Sequence, residues 1–254
     1  MYPKIYIINL ESSTDRRNYM DGQFTALSAQ YPNIQLDIHY FPAVHGIKNP
    51  DHPVFKKYNA QKHLLRKGRN LSLSELGCIA SHYLVWQQCQ QDNTAIIVLE
   101  DDAVLLSNFF NFLQESNTLA QKYNFLWLHK NLRSEKSTVI EKTNHFNIAK
   151  FYREFMCTTG YLITPNAAKQ FLDYFDEILY PVDDQMSRFY ENKIENLSLI
   201  PPCIADAGLE SIITKEGRQK TKLNISAKIK REFYSTKDRL HRVWHNIKFW
   251  INHQ

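Results

Sequence analysis

The sequence predicts an α/β fold with a mainly parallel central sheet covered by helices. Short apolar runs of strand type alternate along the chain with longer segments of helical pattern, which is the signature of successive strand-helix units. The helical segment after Ser72, LGCIASHYLVW, is apolar nearly all the way round, which implies burial on most of its faces.

Residues 5–10 (IYIINL) read as the first strand, and Ser12, Ser13 or Thr14 can cap a following helix whose first turn holds Asp15. A second strand is expected at 34–40, then a loop rich in Pro, His and Asn from 42 to 53; residues 54–71 are too mixed to assign. Ser72 followed three residues later by Glu75 is a capping-box pattern and opens the apolar helix. Residues 95–99 form a compact apolar strand ending in Glu100, Asp101 and Asp102. Ser107 opens a helix reaching about 121, and 125–128 is a further strand. Residues 130–150 read as a polar excursion. The stretch 155–164 contains the strand TTGYLIT, closed by Pro165 and followed by a helix over 166–175. Pro181-Val182-Asp183-Asp184 precedes another helix, and 197–200 is a late strand ended by Pro201-Pro202. In open parallel sheets ligands bind beyond the carboxyl ends of the strands, and the acid triplet stands at such an end.

A chain of 254 residues can bury a substantial single core, and 43% hydrophobic with 22% charged residues excludes a disordered or fibrous class. The start, MYPKIYIINL, has neither the basic leader nor the long apolar region of a secretory signal. No apolar run approaches the roughly 18–20 residues a membrane-spanning helix needs. Cys78, Cys89, Cys157 and Cys203 are scattered without CxxC spacing, which fits reduced thiols in a cytoplasmic protein.

The net charge of +5 is unevenly placed: residues 215–254 carry 11 Lys/Arg against 3 Asp/Glu, so residues 1–214 are slightly acidic. The expected organisation is therefore one domain over 1–214 and a basic, aromatic-containing helical tail over 215–254. In the tail Leu240, Val243, Trp244 and Ile247 recur at spacings of three and four. It reads either as a basic amphipathic helix for an anionic membrane surface or as a helix packed on the domain with a solvated basic face. Nucleic acid is not an expected partner, because the body is acidic and shows no recognised binding module.

Three adjacent carboxylates between apolar stretches need compensation, since desolvating each is costly unless it finds a cation, a proton or hydrogen-bond donors. Either Glu100, Asp101 and Asp102 form a solvated helix start, or they hold a hard divalent cation, magnesium or manganese, whose other positions are filled by substrate phosphates. No GxxxxGK[ST] loop is present and no GxGxxG follows a strand, which argues against P-loop ATPases and Rossmann dehydrogenases. His82 is either a core histidine satisfied by a backbone carbonyl or, with Ser81, a polar group at the edge of a cleft; a serine hydrolase is disfavoured without a GxSxG elbow. Asp183 and Asp184 are either a helix cap with a first-turn acid or include a general base, an effect worth typically about 10²- to 10⁴-fold.

Six separated segments agree with one family: INLESSTDRR at 8–17, FPAVHG at 41–46, SELGCIASHYLVW at 74–86, IIVLEDDAVL at 96–105, GYLITPNAAKQFL at 160–172 and PVDDQM at 181–186. Together they resemble glycosyltransferase family 25, which includes bacterial lipopolysaccharide and lipooligosaccharide glycosyltransferases and the collagen galactosyltransferases. The resemblance implies a GT-A type nucleotide-sugar-binding fold, a UDP-sugar donor and an inverting transfer assisted by Mn2+ or Mg2+. On this resemblance LEDD is the counterpart of the DxD motif. Asp102 is then the direct metal ligand with Asp101 beside it, while Asp101 and Glu100 contact ribose, metal-bound water or neighbouring backbone. Asn9 and Arg16 line the nucleotide pocket, or Arg16 pairs with a local acid. Glu75 and His82 lie near the donor, and Asp183 is the acceptor-side base with Asp184 second. His45 stands where the family usually carries an acid, and Asp206 and Glu210 are the candidates for a late metal ligand. The implied reaction moves a hexose, galactose from UDP-galactose first and glucose from UDP-glucose as the alternative, to a sugar hydroxyl of a lipid-linked oligosaccharide at the inner face of the cytoplasmic membrane; the other alternative is an idle nucleotide-sugar-binding protein.

Overall fold

The computed structural model describes residues 2–208 and 225–252. Ten strands are present there: β1 (Lys4–Asn9), β2 (Ile38–Pro42), β3 (Ile96–Glu100), β4 (Ala103–Leu105), β5 (Phe125–Trp127), β6 (Ser137–Lys142), β7 (Asn147–Phe151), β8 (Gly160–Ile163), β9 (Leu197–Ile200) and β10 (Ile204–Asp206). Eight of them form one sheet in the order β2-β1-β3-β8-β5-β9-β7-β6, while β4 and β10 pair as a separate antiparallel ribbon. Pairing is parallel for β1–β2, β1–β3 and β5–β9 and antiparallel at the other junctions, so six strands point one way and β7 and β8 point against them. The central sheet is thus mainly parallel, as the sequence predicts, and helices cover both of its faces.

The continuous apolar runs are explained by that double cover, because alternate strand residues point to opposite faces and both faces are dry. Ile5, Ile7, Ile97, Leu99, Leu126 and Leu162 pack with α1 (Thr14–Gln30) and α4 (Phe109–Lys122). Tyr6, Ile8, Val98, Trp127, Tyr161 and Ile163 pack with α3 (Leu73–Asp92) and α5 (Pro165–Tyr174). Each such side chain contributes roughly 1.5–3 kcal/mol by leaving water. Helix α3 starts where the capping box predicts: Glu75 N–H donates to Ser72 Oγ at 3.1 Å and Ser72 N–H to Glu75 Oε2 at 2.9 Å. It stops at Asn93, whose φ of 50° ends the helix in the left-handed region.

Three local expectations differ from the structure. The second strand begins at Ile38, because Ile34 and Leu36 pack onto the core from irregular backbone instead of pairing. The unassigned stretch 54–71 holds a 3-10 turn (Pro53–Lys57) and α2 (Ala60–Lys67), the latter capped by Asn59. The polar excursion at 130–150 contains the hairpin β6–β7; β6 is an edge strand exposed at Thr138, Val139 and Lys142, and the pairing shifts register between Val139 and Glu141, so no clean alternation survives.

Two short helices follow, α6 (Val182–Met186) and α7 (Phe189–Asn192). The tail forms α8 (Ile225–Asn252), a 28-residue helix. It docks by its polar side: Asp238 pairs with Arg188 at 2.6 Å, Arg242 with Glu154 at 2.5 Å and His245 with Glu195 at 2.5 Å. Its apolar residues face outward, with Phe233, Leu240, Trp244 and Ile251 each more than half exposed. The exposed side of α8 thus carries both this apolar stripe and the basic residues Lys230, Lys237 and Lys248. Among the described residues no helix is long and apolar enough to cross a membrane. All four cysteines are free thiols.

Candidate functional site

A cleft of ≈ 140 Å³, open on one side, lies at the carboxyl ends of β1 and β3. Its walls include Arg16, His45, Cys78, Ser81 and His82, and Glu100, Asp101 and Asp102 form its floor. The second wall depends on two glycines. A Cβ on Gly77 would sit 2.5 Å from Val44 O and 2.8 Å from Gly46 N, and a Cβ on Gly46 would strike Leu73 O. Only hydrogen at these positions lets the 43–46 loop lie against the first turns of α3. Ser81 fastens the same contact: its Oγ accepts from Val44 N–H and donates to Gly77 O, each at 2.8 Å. Ser81 is thus occupied in holding the loop.

The three adjacent acids meet three different environments. Asp101 is nearly buried and fully answered, accepting from Asn9 Nδ2 at 2.8 Å and from Arg16 at 2.7 Å. Glu100 accepts from Thr158 Oγ1, and His82 Nε2 lies 3.2 Å from the same oxygen. His82 Nδ1 is 2.8 Å from Tyr161 Oη, which also accepts from Trp86 Nε1 at 3.0 Å. Assigned from that network, the proton sits on Nε2, and the donors run in one direction from Trp86 through Tyr161 and His82 to Glu100. Against the cost of burial, these bonds hold the Glu100 carboxyl below the usual carboxylate range.

Asp102 has no such set. Arg16, already committed to Asp101, lies 3.6 Å away. Burial first, then the nearby charges of Glu100 and Asp206, push its carboxyl up to about 7. The β4–β10 ribbon brings Asp206 there, since Asp206 lies opposite Ala103 and Ala207 N–H donates to Asp102 O at 3.0 Å. Glu210 lies outside the described residues.

The segment 157–159 links the triplet to the acids of α6. Cys157 has φ 66°, a left-handed conformation unusual for a side chain with a Cβ. Its N–H donates to Asp183 Oδ2 at 3.1 Å, the next residue's hydroxyl reaches Glu100, and Thr159 O accepts from Glu100 N–H at 3.0 Å. Burial, then the neighbouring charge of Asp184, raises the Asp183 carboxyl above its ordinary value. Asp184 goes the other way: despite burial, Lys67 and Arg133 hold it low as an ion-paired carboxylate. The thiol of Cys78 is raised by burial and then by the charges of Glu100, Asp183 and Asp102.

Of the residues singled out from sequence, Arg16, His82, Glu100, Asp101 and Asp102 line one cleft, and Asn9 supports it from behind through Asp101. Arg16 satisfies both of its expected readings, since it pairs with Asp101 while lining the cleft. Glu75 stands apart from that lining: besides capping α3 it is held by Arg69 through two bonds of 2.7 Å. Thr158, Cys157 and Tyr161 were not anticipated. Their roles depend on which backbone and side-chain atoms fold into reach, and TTGYLIT showed only a strand.

The donor chemistry of the cleft distinguishes two possible cation sites. Oxygen donors of Asp102 and Asp206 suit a hard divalent ion, and Asp102 has an uncompensated charge to offer. Asn9 Oδ1 is also left buried without a hydrogen-bond partner, ready for a donor group. A Cys78 sulfur, a His82 nitrogen and a Glu100 oxygen lie within 4.8 Å of one another, a softer set. There the thiol is held protonated and the other two groups already bond each other, so the Asp102 side fits manganese or magnesium better.

A family model described as Glycosyltransferase family 25 (LPS biosynthesis protein) matches residues 2–186. A procollagen lysyl hydroxylase and glycosyltransferase of Acanthamoeba polyphaga mimivirus is 30% identical over 197 residues, covering 72% of this chain and 21% of its own length. The lipooligosaccharide biosynthesis protein lex-1 of Haemophilus influenzae is 29% identical over 129 residues, 47% of this chain and 43% of the relative. The lipooligosaccharide biosynthesis protein lic2B of the same species is 27% identical over 173 residues, 65% of this chain and 60% of the relative. The chain thus spans less than two thirds of each of these proteins. Match and cleft coincide, since Arg16, His82 and the triplet all fall inside the matched residues, and the chain belongs to glycosyltransferase family 25.

Proposed function

We propose that the protein is an inverting, metal-dependent glycosyltransferase that moves galactose from UDP-galactose to a sugar hydroxyl of a lipooligosaccharide or lipopolysaccharide core. The observation that carries this reading is Asp102, a half-buried acid at the end of a buried strand whose nearest cation, Arg16 at 3.6 Å, is shared with Asp101. Asp102, with Asp206 beside it, is the group that would hold manganese or magnesium. When bound, such an ion neutralises charge growing on a departing diphosphate, a contribution of several kcal/mol. Asp101, held by Asn9 and Arg16, fixes the strand end on which Asp102 stands.

Asp183 is the acceptor-side base: its raised affinity for a proton suits removal of the hydroxyl proton as the oxygen attacks the anomeric carbon from the face opposite the leaving group. Asp184 is already neutralised by Lys67 and Arg133 and is the poorer base. Galactose rests on the family resemblance, and a lipid-linked acceptor on the lipooligosaccharide relatives. The outward apolar face of α8 supports docking on an anionic membrane surface, because Lys230, Lys237 and Lys248 border it and Trp244 and Trp250 offer interfacial anchors.

Release of UDP from UDP-galactose, UDP-glucose and their N-acetyl forms, measured with and without manganese, tests the reading. Manganese-dependent release fastest from UDP-galactose supports it, and no release from any donor overturns it. Near-normal manganese-dependent transfer by Asp102→Asn would remove the metal assignment.

A further inference from the structure

His129, just beyond the end of β5, is 3% exposed and stands outside the lining of the donor cleft. Both of its ring nitrogens face backbone carbonyls: Nδ1 lies 3.2 Å from Gly160 O and Nε2 lies 3.2 Å from Met156 O. Those two carbonyls flank the segment 157–159, whose first residue bonds Asp183 and whose other two bond Glu100. Trp127 and Phe155 pack edge-to-face with the imidazole, ring centroids 5.3 and 5.6 Å away, and fix its plane. One rigid side chain thus spans the segment that joins the two acids.

A neutral imidazole donates from one nitrogen only. Burial, the largest influence, disfavours a second proton on His129, and the charges of Glu100 and Asp206 offset it only in part. Gly160 O already accepts from Leu128 N–H at 3.1 Å, so the single proton is assigned to Nε2, where it serves Met156 O. That carbonyl and the Cys157 N–H belong to one planar peptide unit. The N–H end donates to Asp183 Oδ2 at 3.1 Å, while Asp183 Oδ1 accepts from Asp184 N–H at 2.8 Å. Cys157 has φ 66°, a conformation that a residue with a Cβ keeps only when its surroundings hold it. Pinning the carbonyl end of this peptide therefore aims its other end at the carboxylate.

We infer that His129 is a positioning residue for the transfer: by holding the 156–157 peptide at its carbonyl, it aims the Cys157 N–H at Asp183 and so helps to keep the base ionised. The inference rests on Asp183 being the base of the glycosyltransferase reading above. Burial and Asp184 raise the Asp183 carboxyl, and the N–H groups of Asp184 and Cys157, with Arg133, hold that rise in check. If the peptide turns, the ionised carboxylate loses a donor and takes up a proton at higher pH. Asp183 also feels the thiols of Cys157 and Cys78 and the guanidinium of Arg69, and a substitution at 129 changes none of these groups.

His129→Gln and His129→Asn separate the hold from the filling of the site. The amide nitrogen of Gln falls near the place of Nε2 and keeps the bond to Met156 O, whereas that of Asn falls near Nδ1 and keeps only the one to Gly160 O. Each retains one donor in the same pocket, and melting temperatures report the structural cost of each. Infrared difference spectra against Asp183→Asn isolate the carboxylic-acid band of Asp183 and follow its titration without any substrate. The expected result is a midpoint raised by about one pH unit or more in the Asn variant and unchanged in the Gln variant, with the acid limb of the kcat/KM profile moving in step. Equal midpoints in the two variants would overturn the inference. Should the Asn variant fail to fold, amide exchange of the parent decides: a protected Cys157 N–H supports the hold, and one exchanging as fast as an exposed loop amide removes it. A protein that transfers no sugar would defeat the reading of Asp183 as base, while the band titration would still show whether His129 sets that carboxyl's affinity for a proton.

Discussion

His82 Nε2 lies 3.2 Å from Glu100 Oε1 while its Nδ1 is held 2.8 Å from Tyr161 Oη, so the first acid of the triplet is oriented by a relay that begins on buried Trp86. Thr158 supplies the second donor to the same oxygen. Glu100 therefore enters the cleft already ionised and aimed.

Replacing His82 by Phe leaves that buried oxygen short of a donor, which costs about 1–3 kcal/mol. His82→Gln keeps a donor in reach and is expected to recover most of the loss. Thermal denaturation of the two variants checks this. If Phe is tolerated as well as Gln, the relay to Glu100 has no energetic content.

The pH dependence of stability isolates Asp102. Its folded-state carboxyl titrates at about 7, above its unfolded value, so between roughly pH 4 and 7 the folded protein binds more protons than the unfolded one. Stability associated with Asp102 is therefore complete below that window and is lost as pH rises through it, by about 4 kcal/mol at most. Asp102→Asn should remove this loss, so the melting temperature of the variant relative to the parent rises from pH 5 to pH 8. Manganese should stabilise the parent more at pH 8 than at pH 5 and the variant at neither. In the same variant UDP release should fall about 10²-fold or more. A difference between the two proteins that does not change with pH would contradict the uncompensated charge.

The acids were legible in the sequence because their cost is local: three carboxylates between AIIVL and AVLL need partners wherever the chain folds. Which partners they find was not legible. Asn9 and Arg16 reach Asp101 across more than 80 residues, Asp206 reaches the side of Asp102 through a ribbon of three-residue strands, and Thr158 depends on a left-handed Cys157. Strands buried on both faces declared themselves by continuous apolar runs. β6 did not, because an edge strand keeps polar residues on its exposed side and its bulge interrupts the alternation.

Gly77 makes a prediction about the cleft wall. Its replacement by Ala puts a methyl 2.5 Å from Val44 O, a contact that only backbone movement relieves, and the 43–46 loop that moves lines the cleft. The expected cost is about 1–3 kcal/mol, together with a raised KM for the nucleotide sugar. Gly22→Ala is the control. Nothing lies within 4 Å of its Cβ in the middle of α1, so that change should stabilise by roughly 0.5–1 kcal/mol and leave KM unaltered. Equal effects of the two substitutions would mean that the loop contact does not shape the cleft.

The two faces of α8 should separate by experiment. At 3.6 residues per turn Ile229, Phe233, Leu240, Trp244, Ile247 and Ile251 fall on one side, opposite Tyr234, Asp238, His245 and Phe249. The first group is exposed, while Asp238, His245 and Phe249 meet Arg188, Glu195 and Lys150. Lys150 is wholly buried beneath the helix, paired with Glu195 and with its ammonium group lowered to about 8 by burial. Deleting the helix would therefore uncover buried charge and confound stability with docking, so point changes are the cleaner probe. Trp244→Ser with Trp250→Ser should cut sedimentation with phosphatidylglycerol vesicles at least several-fold while leaving the melting temperature within about 1 °C, since exposed substitutions rarely alter stability by more than about 0.5 kcal/mol. Arg242→Ala should do the reverse, lowering the melting temperature because Glu154 stays buried without its cation, at about 1–3 kcal/mol. Vesicle binding that survives loss of both tryptophans, and then of Phe233 and Leu240 changed to Ser as well, would reject a membrane role for this face.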